Sequence, residues 1–174
     1  REVVNVVYWG VDQSGEWRER IATRMPEKPI KEIPGNPYIQ NVSRQDIVEG
    51  IHMNPGEEGV LIQILDPGEE FPKPDFNFQE KYQFSFCDDY TSAGIPTREE
   101  VQISKKQAKE IGAILKTAFD NKQNVIVHCL VGECRSAAVA KAAIDIGFNL
   151  AKNNKNNRPN QRVLWMVKDE LKGV

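Results

Sequence analysis

The sequence has few of the residues that cross-link a chain through disulfides or metal ions. It contains 3 cysteines and 2 histidines among 174 residues. A small secreted fold held by disulfides uses a denser and usually even set of cysteines, so we expect Cys87, Cys129 and Cys134 to be free thiols. The spacing of Cys129 and Cys134, with His128 beside the first, is not the paired spacing of zinc ligands. We therefore expect no bound metal and no cofactor.

A long apolar run and a strong charge imbalance are also missing. No stretch approaches the roughly 20 apolar residues that span a bilayer, and the first residues do not open a secretory signal. The formal net charge of -2 gives no global attraction to nucleic acid or to an anionic membrane. The sequence thus predicts a cytoplasmic protein without a nucleic-acid or membrane partner, in which any anion is bound by a local pocket. It does not indicate an oligomeric state.

The overall composition is that of a soluble globular protein. Apolar residues make up 40% of the chain and charged residues 28%, with both signs mixed. Strand and helix patterns alternate, which predicts an α/β fold with helices flanking a single, mainly parallel sheet. We expect one domain over residues 41–174, and we expect residues 1–40 to be an N-terminal extension packed on it or leading into it.

Four segments have the composition or alternation of strands. They are Val3–Trp9, Gly59–Leu65, Tyr82–Cys87 and Val125–Val127. A turn is expected at residues 12–15, and a proline-rich connector at Met25–Tyr38.

Apolar spacing and capping signals predict the helices. Trp17, Ile21 and Met25 recur every four residues, which favours a helix over a second strand at Glu16–Met25. The other predicted helices are a short one capped by Ser43 with Asp46 and carrying Ile47 and Ile51, a long one capped by Thr97 with Glu100, Ser136–Ile146, and a final one after Asn160. Asn160 is the predicted N-cap, with a supporting role near a cleft as the less favoured alternative.

The stretch VIVHCLVGECRSAAVA, at residues 125–140, changes from a strand to a polar turn and then to an alanine-rich helix. At such a junction backbone N–H groups can surround a tetrahedral anion, and the helix dipole adds about half a positive charge. The same field stabilises a thiolate, which makes Cys129 a candidate nucleophile. Arg135 adds planar, bidentate donors that suit phosphate oxygens, and Gly132 permits a tight turn. The sequence therefore predicts a phosphate-binding loop.

The segment His128 to Ser136 reads H-C-x5-R-S and resembles the signature of the cysteine-dependent protein tyrosine and dual-specificity phosphatases. The resemblance implies a phosphate-binding loop of six residues: Leu130, Val131, Gly132, Glu133, Cys134 and Arg135. It also implies that His128 orients the loop from behind. The Ser136 hydroxyl is expected to donate to the Cys129 sulfur, which helps the thiolate to leave when phosphocysteine is hydrolysed.

A second loop is expected to supply a general acid, which protonates the leaving oxygen. The resemblance implies an aspartate from a loop that precedes the signature, and Asp88 and Asp89 follow the predicted strand Tyr82–Cys87. Counting along that strand favours Asp89, with Asp88 as the alternative acid. A plainer interpretation is that both aspartates only solvate a turn.

Cys134 gives the loop a second cysteine, so the segment also resembles the low-molecular-weight phosphatases, in which such a cysteine can pair with the nucleophile. Chain order argues against that family, because its loop lies near the N-terminus and its acid lies downstream. A reversible Cys129–Cys134 disulfide is a hypothesis here, beside a small buried side chain behind the loop.

Together these residues predict a protein phosphatase of the tyrosine or dual-specificity type. It would hydrolyse phosphomonoesters of phosphorylated proteins or peptides through a phosphocysteine intermediate. The alternative enzyme is a phosphoinositide or inositol phosphate phosphatase. It ranks second because Glu133 weakens the positive field that polyphosphorylated ligands require. The same residues are compatible with a non-catalytic module that binds a phosphorylated residue. A rhodanese-type sulfur-transfer domain, with a typically shorter loop, and an inert buried cysteine at a strand end are weaker interpretations.

Overall fold

The computed structural model describes residues 4–11, 17–24 and 31–172. The chain divides into two compact units, Arg1–Lys31 and Glu32–Val174. In the first unit β1 (Val4–Val11) and β2 (Trp17–Arg24) form an antiparallel pair, with Val4 opposite Arg24 and Val11 opposite Trp17.

The helix predicted at Glu16–Met25 is therefore wrong, since Trp17–Arg24 is a strand. A spacing of four residues is a multiple of the strand period of two as well as about one helical turn, so Trp17 and Ile21 fit both periods. The predicted strand at Val3–Trp9 agrees with β1. The turn expected at 12–15 and the first part of the connector, 25–30, lie outside the described residues.

The second unit is built on five strands. They are β3 (Tyr38–Ser43), β4 (Val60–Leu65), β5 (Glu80–Ser85), β6 (Val125–Cys129) and β7 (Asn149–Leu150). Their order is β5-β4-β6-β3-β7, and every neighbouring pair is parallel. This confirms the predicted α/β class with a single parallel sheet flanked by helices.

The sequence pattern misses the two-residue strand β7 and also strand β3. Gln40 and Asn41 interrupt its apolar run, yet both are buried in the sheet. The boundary expected after residue 40 falls inside β3, whereas the two compact units divide between Lys31 and Glu32.

Four helices complete the unit. They are α1 (Arg44–Glu49), α2 (Lys105–Asp120), α3 (Arg135–Ile144) and α4 (Gln161–Leu171). The capping box predicted at Ser43 and Asp46 is confirmed. Gly50 ends α1, so Ile51 lies beyond the helix and is 59% exposed, contrary to the expectation that the helix carries it.

The start predicted for the long helix is wrong. Residues Glu99–Val101 form only a short 3-10 turn, and Arg98 before it makes no side-chain cap. Helix α2 begins later, where Ser104 and Gln107 form a reciprocal capping box. Ile103 before this cap and Ala108 after it lie in the same apolar core, which is the arrangement of a hydrophobic staple.

The alternation of side chains along the strands gives the sheet two packed faces. On one face Val60 and Val127 pack with residues of α2, α3 and α4. On the other face Leu61 and Ile126 pack with Ile47 of α1. In a parallel sheet all carboxyl ends lie at one edge, so the strand ends of β3, β4 and β6 meet there.

Within the ranges described, no helix is both long enough and apolar enough to cross a bilayer.

Candidate active site

Cys129 lies at the carboxyl end of the central strand β6, and α3 begins six residues later at Arg135. The cysteine is 2% exposed. Its Sγ accepts the backbone N–H of Gly132 at 3.3 Å and lies 3.2 Å from the Ser136 hydroxyl oxygen. The sulfur thus has a backbone N–H and a hydroxyl group within hydrogen-bonding distance.

Gly132 sets the path of the loop between β6 and α3. Its φ is +85°, and a Cβ at this position would lie 2.5 Å from the carbonyl carbon of Val42. Its carbonyl oxygen accepts a hydrogen bond from Asn41 Nδ2 at 2.7 Å. The carbonyl of Leu130 accepts the backbone N–H of Arg44 at 3.1 Å. The loop therefore packs against the end of β3. The residues that hold it there, Asn41, Val42 and Arg44, are not among the site residues predicted from the sequence.

Arg135 is buried with its guanidinium oriented by two acceptors. Nη1 donates to Asp66 Oδ1 at 2.6 Å and to the backbone carbonyl of Phe86 at 2.7 Å. Nε is buried and has no acceptor in the described structure. A buried donor without a partner is costly, so this nitrogen is suited to a ligand oxygen.

Backbone donors are free beside that nitrogen. No side chain caps the N-terminus of α3, whereas Ser43, Ser104 and Asn160 cap the other three helices. Among the described residues no acceptor takes the N–H groups of Val131, Glu133 and Cys134. The loop and Arg135 together form a set of unpaired donors that fits a tetrahedral anion.

His128 lies on the opposite face of β6 from Cys129 and is fully buried. Its Nδ1 contacts the backbone carbonyl of Cys129 at 3.1 Å. Burial, with the nearby charges of Arg44 and Arg135, lowers the pKa of His128 to about 4. The imidazole is therefore neutral at neutral pH and touches the loop from behind.

The loop that follows β5 brings both candidate acids to the same cleft as Cys129. The cleft has a volume of about 730 Å³. The residues that line it include Asp66, Glu69, Asp88, Asp89, Tyr90, Cys129, Leu130, Val131, Glu133, Cys134, Arg135 and Arg158. Burial, and then a hydrogen bond to Asp88 and the charge of that residue, raise the pKa of Asp89. Asp89 thus keeps its proton to a higher pH than an exposed aspartate.

Asp88 is engaged by its neighbours. Its Oδ1 accepts hydrogen bonds from Asn160 Nδ2 at 2.5 Å and from the backbone N–H of Asp89 at 3.0 Å. The Cys134 side chain lies near Asp88, and both residues line the cleft. Asn160 therefore contacts a residue that lines the cleft, and it also caps α4 as predicted, by accepting the N–H of Val163.

Cys134 is a protonated thiol in this arrangement. Burial, and then the charge of Asp88, raise its pKa to about 12. Cys87, Cys129 and Cys134 are all free. The reversible Cys129–Cys134 disulfide stays a prediction.

Glu133 forms an ion pair with Arg158 at the cleft, with 3.4 Å between Oε2 and Nη2. The backbone N–H of Arg158 also donates to the Glu133 carbonyl at 2.8 Å. Among the described residues, the two cations that line the cleft are Arg135 and Arg158, and each is paired with a carboxylate.

The described part of the chain contains no group of three or more His, Cys, Asp and Glu side chains arranged to hold a metal ion.

Comparisons with known proteins give little beyond this geometry. No protein-family model and no curated protein matches the chain. Among the solved structures, the chain matches one described as the crystal structure of Tk-PTP in the active form. The two chains are 14% identical, the match covers 84% of this chain and 87% of that chain, and the TM-score is 0.38. A TM-score this low does not show a shared fold, so the functional assignment rests on the site itself.

Proposed function

We propose that the protein is a cysteine-dependent phosphatase of the tyrosine or dual-specificity type, which hydrolyses phosphorylated protein side chains. The single observation that carries this proposal is that the Cys129 sulfur lies beside a pocket of hydrogen-bond donors without acceptors. Arg135 Nε and the backbone N–H groups of Val131, Glu133 and Cys134 have no acceptor among the described residues. A phosphoryl group in the loop would satisfy them while its phosphorus lies next to the sulfur.

The first step is attack of the Cys129 thiolate on phosphorus. An S–P bond forms as the bond from phosphorus to the substrate oxygen breaks, and Asp89 gives its proton to that leaving oxygen. Arg135 and the loop N–H groups stabilise the charge that spreads over the three remaining phosphoryl oxygens. The raised pKa of Asp89 supports this role, because the acid must be protonated when substrate binds.

The second step hydrolyses the phosphocysteine. Asp89, now ionised, takes a proton from water as the water oxygen attacks phosphorus and the S–P bond breaks. The electron pair returns to the Cys129 sulfur, which lies 3.2 Å from the Ser136 hydroxyl. A hydrogen bond from that hydroxyl stabilises the departing thiolate. The products are inorganic phosphate and the regenerated enzyme.

The walls of the cleft favour a phosphorylated protein side chain over a polyphosphorylated ligand. Tyr90, Leu130 and Val131 line the cleft and are 57%, 45% and 54% exposed. These apolar groups suit an aromatic ring or an alkyl stem next to the phosphate. Arg135 and Arg158 are already paired with carboxylates, which leaves no unpaired cation among the described residues of the cleft for the extra charges of an inositol phosphate.

The Cys129→Ser variant tests the proposal. The parent protein should hydrolyse 4-nitrophenyl phosphate and a phosphotyrosine peptide, and the variant should lose this activity to background while still binding phosphate or vanadate. If the variant retains the parent's rate, or if neither protein binds these anions, the proposal is wrong. Binding by the parent without turnover would instead favour the phospho-residue binding module, and turnover of thiosulfate a sulfur-transfer domain.

A further inference from the structure

Asp88 is the point where three separate parts of the site meet. Its carboxylate accepts hydrogen bonds from Asn160 at the start of α4 and from the Asp89 N–H in its own loop, and it lies near Cys134 of the phosphate loop. Its backbone carbonyl accepts the hydroxyl of Thr97, which closes the far end of the same loop. These donors hold Asp88 to the protein, and Asp89 is the acid in the proposed mechanism.

Asn160 is a rigid partner for this carboxylate. It is 4% exposed, and every polar group of the residue has a partner. Its Oδ1 accepts the N–H of Val163 at 3.0 Å, its backbone N–H donates to the Cys134 carbonyl at 3.0 Å, and its carbonyl accepts the N–H of Leu164 at 3.0 Å. Only Nδ2 is left, and it donates to Asp88 at 2.5 Å. The helix and the phosphate loop therefore fix the position from which Asn160 holds Asp88.

We infer that Asp88 is a positioning residue, which fastens the loop carrying Asp89 to Asn160 and so holds the acid beside the phosphate loop. This inference rests on the proposed function, since it assumes that Asp89 protonates the leaving group. Asp88 acts through Asp89 and does not itself touch the reacting atoms. Its removal should therefore slow the chemical step more than it weakens substrate binding.

The Asn160→Asp variant separates this contact from the helix cap. Aspartate caps a helix as well as asparagine does, so the bond to the Val163 N–H is retained, but the donor to Asp88 is replaced by a like charge. The matched control is Asn156→Asp, which adds the same charge in the same segment at an exposed residue. With phenyl phosphate, a poor leaving group, we expect kcat of Asn160→Asp to fall about tenfold or more while KM changes little, the effect of one lost charge-assisted hydrogen bond. With 4-nitrophenyl phosphate the loss should be smaller.

Exchanging the side chains at positions 88 and 160 should restore the hydrogen bond between them. In the double variant Asp88→Asn/Asn160→Asp, the amide introduced at position 88 can donate to the carboxylate introduced at position 160. We expect most of the lost kcat to return. The inference is wrong if Asn160→Asp matches Asn156→Asp with phenyl phosphate, or if the swap is no faster than Asn160→Asp alone.

Alkylation of Cys134, which needs no turnover, tests whether Asp88 lies beside the phosphate loop. It also separates the inference about Asp88 from the proposed function. In a Cys129→Ser chain, Asp88→Asn removes the charge that raises the pKa of Cys134, so alkylation of Cys134 at about pH 9 should become faster. Peptide mass mapping distinguishes Cys134 from Cys87. An unchanged alkylation rate overturns the inference about Asp88. Hydrolysis by the parent that does not depend on Cys129 overturns the proposed function, whatever the alkylation result.

Discussion

The guanidinium of Arg135 is held by the carboxylate of Asp66, with 2.6 Å between Nη1 and Oδ1. The carbonyl of Phe86 takes a second hydrogen bond from the same nitrogen, and Nε is left without an acceptor among the described residues. The contact joins the residue after β4 to the first residue of α3. It therefore determines which edge of the guanidinium is presented to a ligand.

Substitution of Asp66 tests this orientation. Asp66→Ala should lower kcat/KM about ten- to a hundredfold, because a charge-assisted hydrogen bond contributes about 1.5–3 kcal/mol. Asp66→Asn keeps an acceptor oxygen and should lose less. Steady-state kinetics with an aryl phosphate measures both variants. Equal losses in the two would contradict an orienting role, and a faster Asp66→Ala variant would mean that Asp66 only repels the substrate.

The pH profile tests Asp89 as the acid. Its pKa is raised in the fold, so the protonated form persists to higher pH than in an exposed aspartate, and kcat should fall as pH rises through that raised value. The pH profile of Asp89→Asn should lack this alkaline limb. Its kcat with phenyl phosphate should be about 10²- to 10⁴-fold lower than that of the parent. Asp88→Asn should keep the limb but shift it to lower pH, because the charge that raises the Asp89 pKa is gone. If Asp88→Asn loses the limb instead, Asp88 is the acid.

Two glycines with the same φ test how tightly the phosphate loop packs against β3. Gly35 and Gly132 both have φ of +85°, but a Cβ at Gly35 meets nothing within 4 Å, whereas at Gly132 it would lie 2.5 Å from Val42. Gly35→Ala should cost about 1 kcal/mol of unfolding free energy, the strain of φ alone. Gly132→Ala should cost more and abolish phosphate binding. Urea unfolding and vanadate titration measure the two effects, and equal costs would mean that the contact with β3 is not tight.

The buried His128 predicts a loss of stability in mild acid. Its folded pKa of about 4 lies below the ordinary value, so between about pH 4 and 6.5 the unfolded chain binds more protons than the folded one. Stability contributed by this residue is complete above about pH 6.5 and decreases as pH falls, by on the order of 2 kcal/mol at about pH 5. Urea unfolding at pH 7 and 5 should show that drop in the parent and a smaller one in His128→Gln. The same drop in both would show that His128 does not titrate this way.

The sequence locates the secondary-structure elements around Cys129 because they are adjacent in the chain. The change from strand to helix pattern around Cys129 locates β6, the loop and the start of α3 without any long-range information. The α/β class follows from the same alternation. The loop with Asp88 and Asp89 is located because it too follows a strand.

The supporting residues could not be predicted in the same way. Asn41 and Asp66 reach the site only because β3 and β4 lie beside β6, and strand order depends on which apolar faces pack together. Strand β3 itself is hidden by its buried polar residues, whose partners are distant in sequence. In β2 a four-residue spacing fits strand and helix alike, and only pairing with β1 decides between them.

The contacts that complete the pocket are far apart along the chain, from Asn41 to Asn160. During synthesis the ribosome releases Cys129 before it releases Arg158 and Asn160. A nascent chain therefore carries the sulfur before it has Arg158, which pairs with Glu133 of the phosphate loop, and Asn160, which holds Asp88. Under the proposed function, the contact that holds the loop carrying Asp89 can form only after the start of α4 has been synthesised.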